Sequence, residues 1–191
     1  MAQDRWERLF AELEAQAEVE LRTTDVDVPD KTRQERSEVT LTDRLRASSG
    51  RTVTLVTSGA GAVRGVVRDV GPQWLLLGGD RPSSLCVVPT SAVLTAEGVA
   101  RHAVPARPAS VSARLSLRAV LRSVARDRSP VRLSLTDGRV LSGTVDEVGH
   151  DHLDLAVHPM DEPRRAVQQH VVALAAIAML RPAEGTSSLA W

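Results

Sequence analysis

The 191-residue chain has few aromatic side chains and only one cysteine: three Trp, one Phe, no Tyr, and Cys86. So few aromatic rings count against a single-stranded nucleic acid site built on base stacking. One cysteine excludes a disulfide within the chain and a cysteine-rich metal site. No apolar run reaches the roughly 20 residues that span a bilayer, and the first residues lack the pattern of a signal peptide. We therefore expect a cytoplasmic protein with no membrane contact.

The net charge is zero, but the charges are unevenly distributed along the chain. Residues 1–30 contain nine acidic residues and three arginines, whereas residues 101–132 contain eight arginines and one acidic residue. Such a separation indicates either an anionic partner or pairing of the two regions with each other.

The chain contains an internal repeat. Residues 53–77 align with residues 131–155 at a constant offset of 78, and eight of the 25 aligned positions are identical. Residues 87–95 then align with residues 171–179 after a small insertion. Each copy is preceded by a short helical pattern, "LTDRLR" at 41–46 and "LRAVLR" at 117–122. Each unit therefore predicts a helix followed by several short strands.

The second copy shows the period-two pattern of half-buried strands, since Val131, Leu133 and Leu135 alternate with polar residues. Gly138 follows Asp137 at a predicted hairpin turn. Gly143 lies within the next strand, where glycine favours a sharp bend or a close approach of two backbones. Five short, bent strands per copy predict a small barrel.

The segment "LTDGRVLSGTVDEVG" at 135–149 resembles the first signature segment of the Sm-like fold. This resemblance implies two tandem Sm-like, SH3-like five-stranded β-barrels, each preceded by a helix, and a mainly β fold. The predicted organisation is a helix at 1–22, a linker or helix extension at 23–38, a first barrel at 39–98, a linker at 99–113, a second barrel at 114–182 and a flexible tail at 183–191.

The resemblance does not extend to the RNA pocket of Sm-like proteins, which uses an Asp, an Asn and an Arg-Gly pair. The corresponding positions are occupied here by Gly71 and Gly149, by Trp74 and His152, and by Pro89-Thr90 and Ala173-Leu174. Barrels of this family associate by pairing the fourth strand of one with the fifth strand of the next. The resemblance therefore implies one such pairing inside this chain, and a homo-oligomer.

The N-terminal segment has an apolar stripe at helical spacing, in which Trp6, Leu9, Phe10 and Leu13 are the candidate partner-binding residues. The stripe packs on the protein's own barrels, on another copy or on another protein. A second candidate surface is a row of arginines spaced by four, which can follow phosphates or form a solvated or acid-paired face. Its residues are Arg114, Arg118, Arg122 and Arg126.

No catalytic, cofactor-binding or metal-ligating set stands out. His150 and His152 have strand spacing but are interpreted as a polar loop rather than a metal site. Cys86 lacks a neighbouring base and is interpreted as a small buried hydrophobe. The function we expect is a non-catalytic scaffold that binds a protein partner or itself through barrel edges and the N-terminal helix, without a small-molecule substrate. RNA binding through the arginines is the alternative.

Overall fold

The computed structural model describes residues 39–79, 85–101, 114–157 and 168–183. These residues form ten β-strands with two α-helices, which confirms the predicted mainly β class. The first half comprises α1 (Leu41–Arg46), β1 (Thr52–Thr57), β2 (Gly61–Val70), β3 (Trp74–Gly78), β4 (Cys86–Pro89), a 3-10 turn (Thr90–Ala92) and β5 (Val93–Glu97). The second half comprises α2 (Leu117–Asp127), β6 (Pro130–Leu135), β7 (Val140–Val148), β8 (His152–Val157), β9 (Gln168–Ala173), a 3-10 turn (Leu174–Ala176) and β10 (Ile177–Pro182).

Both helices form where the sequence predicts them. At α1, the Thr40 hydroxyl accepts a hydrogen bond from the Asp43 amide, and the Asp43 carboxylate accepts one from the Thr40 amide, so the pair forms a capping box. At α2, the Ser116 hydroxyl accepts from the Ala119 amide. The helix ends at Arg128, which adopts a left-handed φ of 57°. The predicted apolar face of α2 is buried in the core: Leu117, Val120, Leu121 and Val124.

All ten strands belong to one open antiparallel sheet, in the order β5-β1-β2-β3-β4-β10-β6-β7-β8-β9. In each half the first strand pairs with both the second and the fifth strand of that half. The two halves are joined because β4 pairs with β10. The internal pairing of a fourth with a fifth strand is thereby confirmed. Strands β5 and β9 lie at the two ends of the sheet.

The offset of 78 residues also relates the strand registers of the two halves. Val53 lies opposite Gly65, as Val131 lies opposite Gly143. The pairing of the second and third strands shifts between Val67 and Asp69 in one half and between Val145 and Glu147 in the other. A Cβ atom at Gly143 would overlap the carbonyl oxygen of Ala156 on β8, so this strand position requires glycine.

The apolar side chains form two clusters, one in each half. The first is built on Leu45, Val53 and Leu55, and the second on the buried face of α2 with Val131 and Leu133. The period-two pattern produces this division, because alternate residues of β1 and β6 face one side of the sheet.

Several predicted segments lie outside the described residues. These are the helix at 1–22, the segment 23–38, residues 102–113 of the linker and residues 184–191 of the tail. The candidate partner-binding residues Trp6, Leu9, Phe10 and Leu13 are among them.

Candidate protein-binding edges

The internal junction, defined as the β4–β10 pair together with Trp74, joins the two halves through main chain and side chains. Leu180 lies opposite Val87, and both are buried. Apolar residues cross the boundary in both directions: Trp74 and Val87 pack in the cluster of the second half, and Met179 packs in the cluster of the first. An apolar boundary of this kind stabilises the joined sheet in proportion to the area removed from water.

Trp74 fixes the geometry of this junction. Its side chain is 3% exposed, and its Nε1–H donates a hydrogen bond of 2.8 Å to the Leu115 carbonyl oxygen, two residues before α2. The indole ring lies against Gly71, where a Cβ atom would overlap it. A glycine in the β2–β3 turn therefore makes room for the ring that connects the two halves.

The open edges, defined as β5 (Val93–Glu97) and β9 (Gln168–Ala173), each have one neighbouring strand among the described residues. Each edge carries a strongly exposed apolar side chain, with Leu94 on β5 exposed by 64% and Val171 on β9 by 73%. Unpaired edge strands present free N–H and C=O groups that a further strand can bind. Neither edge contains lysine, and neither contains proline, two residues that often protect such strands.

The polar loop His150–His152 lies at the start of β8, next to the β9 edge. The Nδ1–H of His152 donates to Oδ1 of Asp151 at 2.9 Å. This hydrogen bond raises the pKa of the imidazole and lowers the pKa of the Asp151 carboxyl, and the carboxylates of Asp154 and Glu147 also raise the pKa of His152. His150 instead accepts a hydrogen bond of 2.9 Å from Nη1 of Arg118.

Within the described ranges, no three His, Cys, Asp or Glu side chains are grouped to hold a metal ion. The two histidines instead have separate partners: His152 bonds to the carboxylate of Asp151, and His150 bonds to the guanidinium of Arg118.

Cys86 lies in β4 and is buried, and burial raises the pKa of its thiol to about 11. A thiol with such a pKa is almost entirely protonated near neutral pH, so it is a poor nucleophile.

The predicted row of arginines, here called the arginine face, lies along α2 and the residues before it. Arg114, Arg122 and Arg126 are exposed, and Arg118 is half-buried. Arg126 donates to the Ser123 hydroxyl at 3.1 Å. In the part of the chain that the structure describes, none of the four arginines forms an ion pair with an acidic side chain. The acidic residues 1–30, which could pair with this face, lie outside the described residues.

Compared with models of protein families and with curated proteins, the chain matches none of them. Across the described residues, no helix combines the length and apolarity needed to span a membrane. The features of the chain that indicate a function are therefore the open edges, the internal junction and the arginine face.

Sequence reasoning did not single out the most exposed apolar residues of the sheet, Leu94 and Val171. The signal that could have identified them is the repeat. Both belong to apolar strands that recur in the two copies, and a fourth or fifth strand with a single neighbour among the described residues exposes part of that apolar character.

Proposed function

We propose that this chain is a non-catalytic scaffold protein that binds protein strands at the open edges of its sheet. We also infer that the two halves, residues 39–98 and 114–182, are small barrels similar to the Sm-like fold. Two observations support the barrels: in each half the first strand pairs with the second and the fifth, and each half has its own apolar cluster. Bent five-stranded sheets with this pairing order are typical of small barrels.

The observation that carries the proposal is the exposure of Leu94 and Val171 on strands that have one neighbour each in the described part of the chain. An added strand gains main-chain hydrogen bonds from such an edge and covers its apolar side chains, which provide specificity. At the internal junction, β4 and β10 already bind each other in this way.

The test uses an array of short extended peptides and the intact chain. Val171→Lys or Leu94→Lys should weaken binding of the retained peptides by about tenfold or more, because a charge then replaces apolar contact area and about 1.4 kcal/mol corresponds to a factor of ten. The matched control is Val140→Lys: Val140 is also exposed, by 53%, but β7 has neighbours on both sides. Binding that survives both edge substitutions, or that Val140→Lys weakens equally, would contradict the proposal.

The N-terminal stripe is proposed as a second protein contact. Trp6→Ala combined with Phe10→Ala removes two large apolar anchors, and such residues supply most of the binding energy where they occupy an interface. We expect the double variant to lose its partner while the ten-stranded sheet keeps its thermal stability. A variant that binds as well as the wild type would restrict the scaffold function to the edges.

RNA binding is a second candidate function, favoured by one observation, the lack of ion pairs on the arginine face within the described chain. Phosphate contacts by arginines give weak sequence preference and an affinity that falls steeply with salt. Binding of a plain RNA oligomer should then be lost when Arg114, Arg118, Arg122 and Arg126 are all changed to Gln.

A second quadruple variant controls for the loss of charge alone. Its four exposed arginines lie elsewhere on the chain: Arg51, Arg64, Arg68 and Arg101. Equal losses in the two variants would indicate nonspecific attraction. Absence of salt-sensitive RNA binding by the wild type would exclude this second function and leave the scaffold proposal standing.

A further inference from the structure

Two arginines lie directly opposite each other on neighbouring strands near the middle of the sheet. Arg181 of β10 pairs in register with Arg132 of β6, and Arg132 pairs on its other side with Ser142 of β7. Directly opposite residues of antiparallel strands have Cα atoms about 4.5–5.5 Å apart, and their side chains leave the sheet on the same face. Two guanidinium groups and one hydroxyl therefore lie in one row. Arg132 and Arg181 are here called the central arginine pair.

The central arginine pair lies on the face of the sheet that turns away from the core of the second half. The adjacent residues Leu133 and Leu180 pack in the apolar cluster of that half, and successive side chains of a strand point to opposite faces. Both arginines are half-buried, so each side chain is partly covered and still in contact with solvent. A small ion can therefore reach the row, and partial burial strengthens its attraction to the two charges.

No opposite charge in the described part of the chain compensates this pair. Neither Arg132 nor Arg181 forms an ion pair or a side-chain hydrogen bond there, and the Nε–H of Arg132 is buried without an acceptor. Like charges directly opposite each other destabilise a sheet, and a buried donor without an acceptor costs further free energy. An acceptor with negative charge would remove both costs together.

The other half-buried arginines of the described residues do have polar partners. Arg44 donates its Nε–H to the Ala100 carbonyl oxygen at 2.8 Å. Arg46 forms an ion pair of 3.0 Å with Asp43, and Arg118 donates to an imidazole at 2.9 Å. The central arginine pair is therefore the exception among arginines of similar burial.

We propose that the central arginine pair and Ser142 bind a phosphate group that carries two negative charges, as free phosphate or as the monoester of a small organic molecule. A guanidinium group presents a planar fork of donors that matches phosphate oxygens, and a hydroxyl donates a further hydrogen bond. Two guanidinium charges balance the two charges of hydrogen phosphate, whereas one carboxylate would balance only one of them. This site goes beyond the scaffold function, because β6, β7 and β10 lie away from the open edges.

The proposed phosphate site lies beside the internal junction. Met179, two residues before Arg181 on the same strand, packs in the apolar cluster of the first half. The positive charge of Arg181 also reaches Cys86 on β4, where it lowers the pKa of a thiol whose pKa burial raises. A bound phosphate would neutralise this charge at the junction and should stabilise the joined sheet, because a ligand that binds only the folded chain stabilises it.

NMR titration of the arginine Nε–H signals of the intact chain tests the site. Sodium phosphate is added at constant ionic strength, with chloride as the replaced anion. We expect the signals of Arg132 and Arg181 to shift saturably, while those of the exposed Arg51 and Arg64 stay in place. Equal shifts of all four signals, or no shift in the wild type, would overturn the proposal.

Two further titrations distinguish the sources of the phosphate group. A nucleoside 5′-monophosphate offers a monoester with two charges, and an RNA oligomer without a terminal phosphate offers only diesters with one charge each. Tighter binding of the monophosphate than of inorganic phosphate would identify an organic monoester as the ligand, and the reverse would identify the free ion. Saturable shifts of the central arginine pair with the RNA oligomer alone would overturn the proposed site.

Variants of the row assign the binding to its side chains. Arg132→Gln or Arg181→Gln should weaken phosphate binding by about tenfold or more, because each removes hydrogen bonds to a charged group. Ser142→Ala removes one hydroxyl donor and should weaken binding by about two- to tenfold. The matched controls Arg51→Gln and Arg64→Gln remove the same charge from exposed positions and should bind as the wild type does. Control variants that lose as much affinity as the row variants would overturn the assignment.

Urea unfolding provides a readout that a merely structural arginine would not give. In chloride, Arg181→Gln should be at least as stable as the wild type, because the repulsion between the two guanidinium groups is gone. In phosphate, the wild type should gain a higher midpoint than Arg181→Gln does, whereas the general effect of a phosphate salt acts on both proteins alike. Equal gains in the two proteins would overturn the proposal. If a row variant does not fold, the titration of the wild type decides.

Discussion

Replacement of Trp74 by alanine should destabilise the protein far more than the corresponding replacement of His152. The two residues occupy matching positions of the repeat, but Trp74 is buried at the internal junction and His152 lies beside an open edge. Truncation of a buried Trp to Ala costs about 3–5 kcal/mol, from lost transfer free energy and the remaining cavity. Truncation of a partly exposed side chain away from such features usually changes the free energy of unfolding by no more than about 0.5 kcal/mol in either direction.

The indole hydrogen bond adds a smaller part of the effect. Trp74→Phe keeps most of the apolar area but loses the donor to the Leu115 carbonyl oxygen. A typical intramolecular hydrogen bond contributes about 0.5–1.5 kcal/mol, so this variant should lie between the wild type and Trp74→Ala. The order of stability expected is wild type, then Trp74→Phe, then Trp74→Ala, with His152→Ala close to the wild type.

The assay is urea unfolding of the four proteins followed by far-UV circular dichroism, because fluorescence would lose one of its three tryptophan reporters. A change in midpoint at constant slope measures a change in stability. Amide hydrogen exchange at Leu180 provides a local measurement, since its strand β10 should be released first when the junction weakens. If Trp74→Ala and His152→Ala lost similar stability, the assignment of Trp74 as the anchor of the junction would be wrong.

Three further predictions concern single positions. Gly143→Ala should lower the free energy of unfolding by about 1–3 kcal/mol, measured by the same urea titration, because its Cβ would overlap the Ala156 carbonyl oxygen. Cys86 should react with a thiol reagent at pH 8 only after unfolding, because its pKa of about 11 leaves little thiolate in the buried native strand; rapid reaction of the native chain would contradict this. Asp151→Asn should lower the pKa of His152 in an NMR titration, because the variant loses the carboxylate whose hydrogen bond raises that pKa. The wild-type contribution of that pair should be fully present below the pKa of an unfolded histidine and decline as the pH rises through the raised folded pKa, and an unchanged His152 titration in the variant would refute the pairing.

Much of the local structure can be predicted from sequence patterns that have a simple physical cause. Thr40 with Asp43 and Ser116 with Ala119 mark helix starts because the first amides of a helix need acceptors. The alternation around Leu133 identifies the buried face of β6 because successive side chains of a strand point to opposite sides. The offset of 78 residues also predicts that corresponding strands of the two halves pair in the same register, because the glycine and apolar positions that fit this pairing recur at that offset.

What the sequence does not give is the identity of the neighbour at each edge. All four residues of β4 are buried, so its apolar sequence marks it as a core strand, but its N–H and C=O groups can pair with any strand of suitable length. The strand that pairs with Val87 contains Leu180, more than ninety positions along the chain, and the resemblance to a family, rather than a local pattern, predicted that pairing. The local sequence also does not show which of Trp74 and His152 anchors a junction, because Trp74 follows Gly71 by three residues just as His152 follows Gly149.

The two halves differ in the side chains that surround their fourth and fifth strands. The residues that define the strand registers are shared, so both halves present the same geometry at their fourth and fifth strands. The side chains at these strands differ between the two halves. The internal junction has Trp74, the buried Ala178 and Leu180, whereas the matching positions near the open edges are His152, the exposed Leu94 and Ala96. Because apolar burial stabilises association in proportion to the area removed from water, the indole at the internal junction favours the pairing of β4 with β10 that joins the two halves.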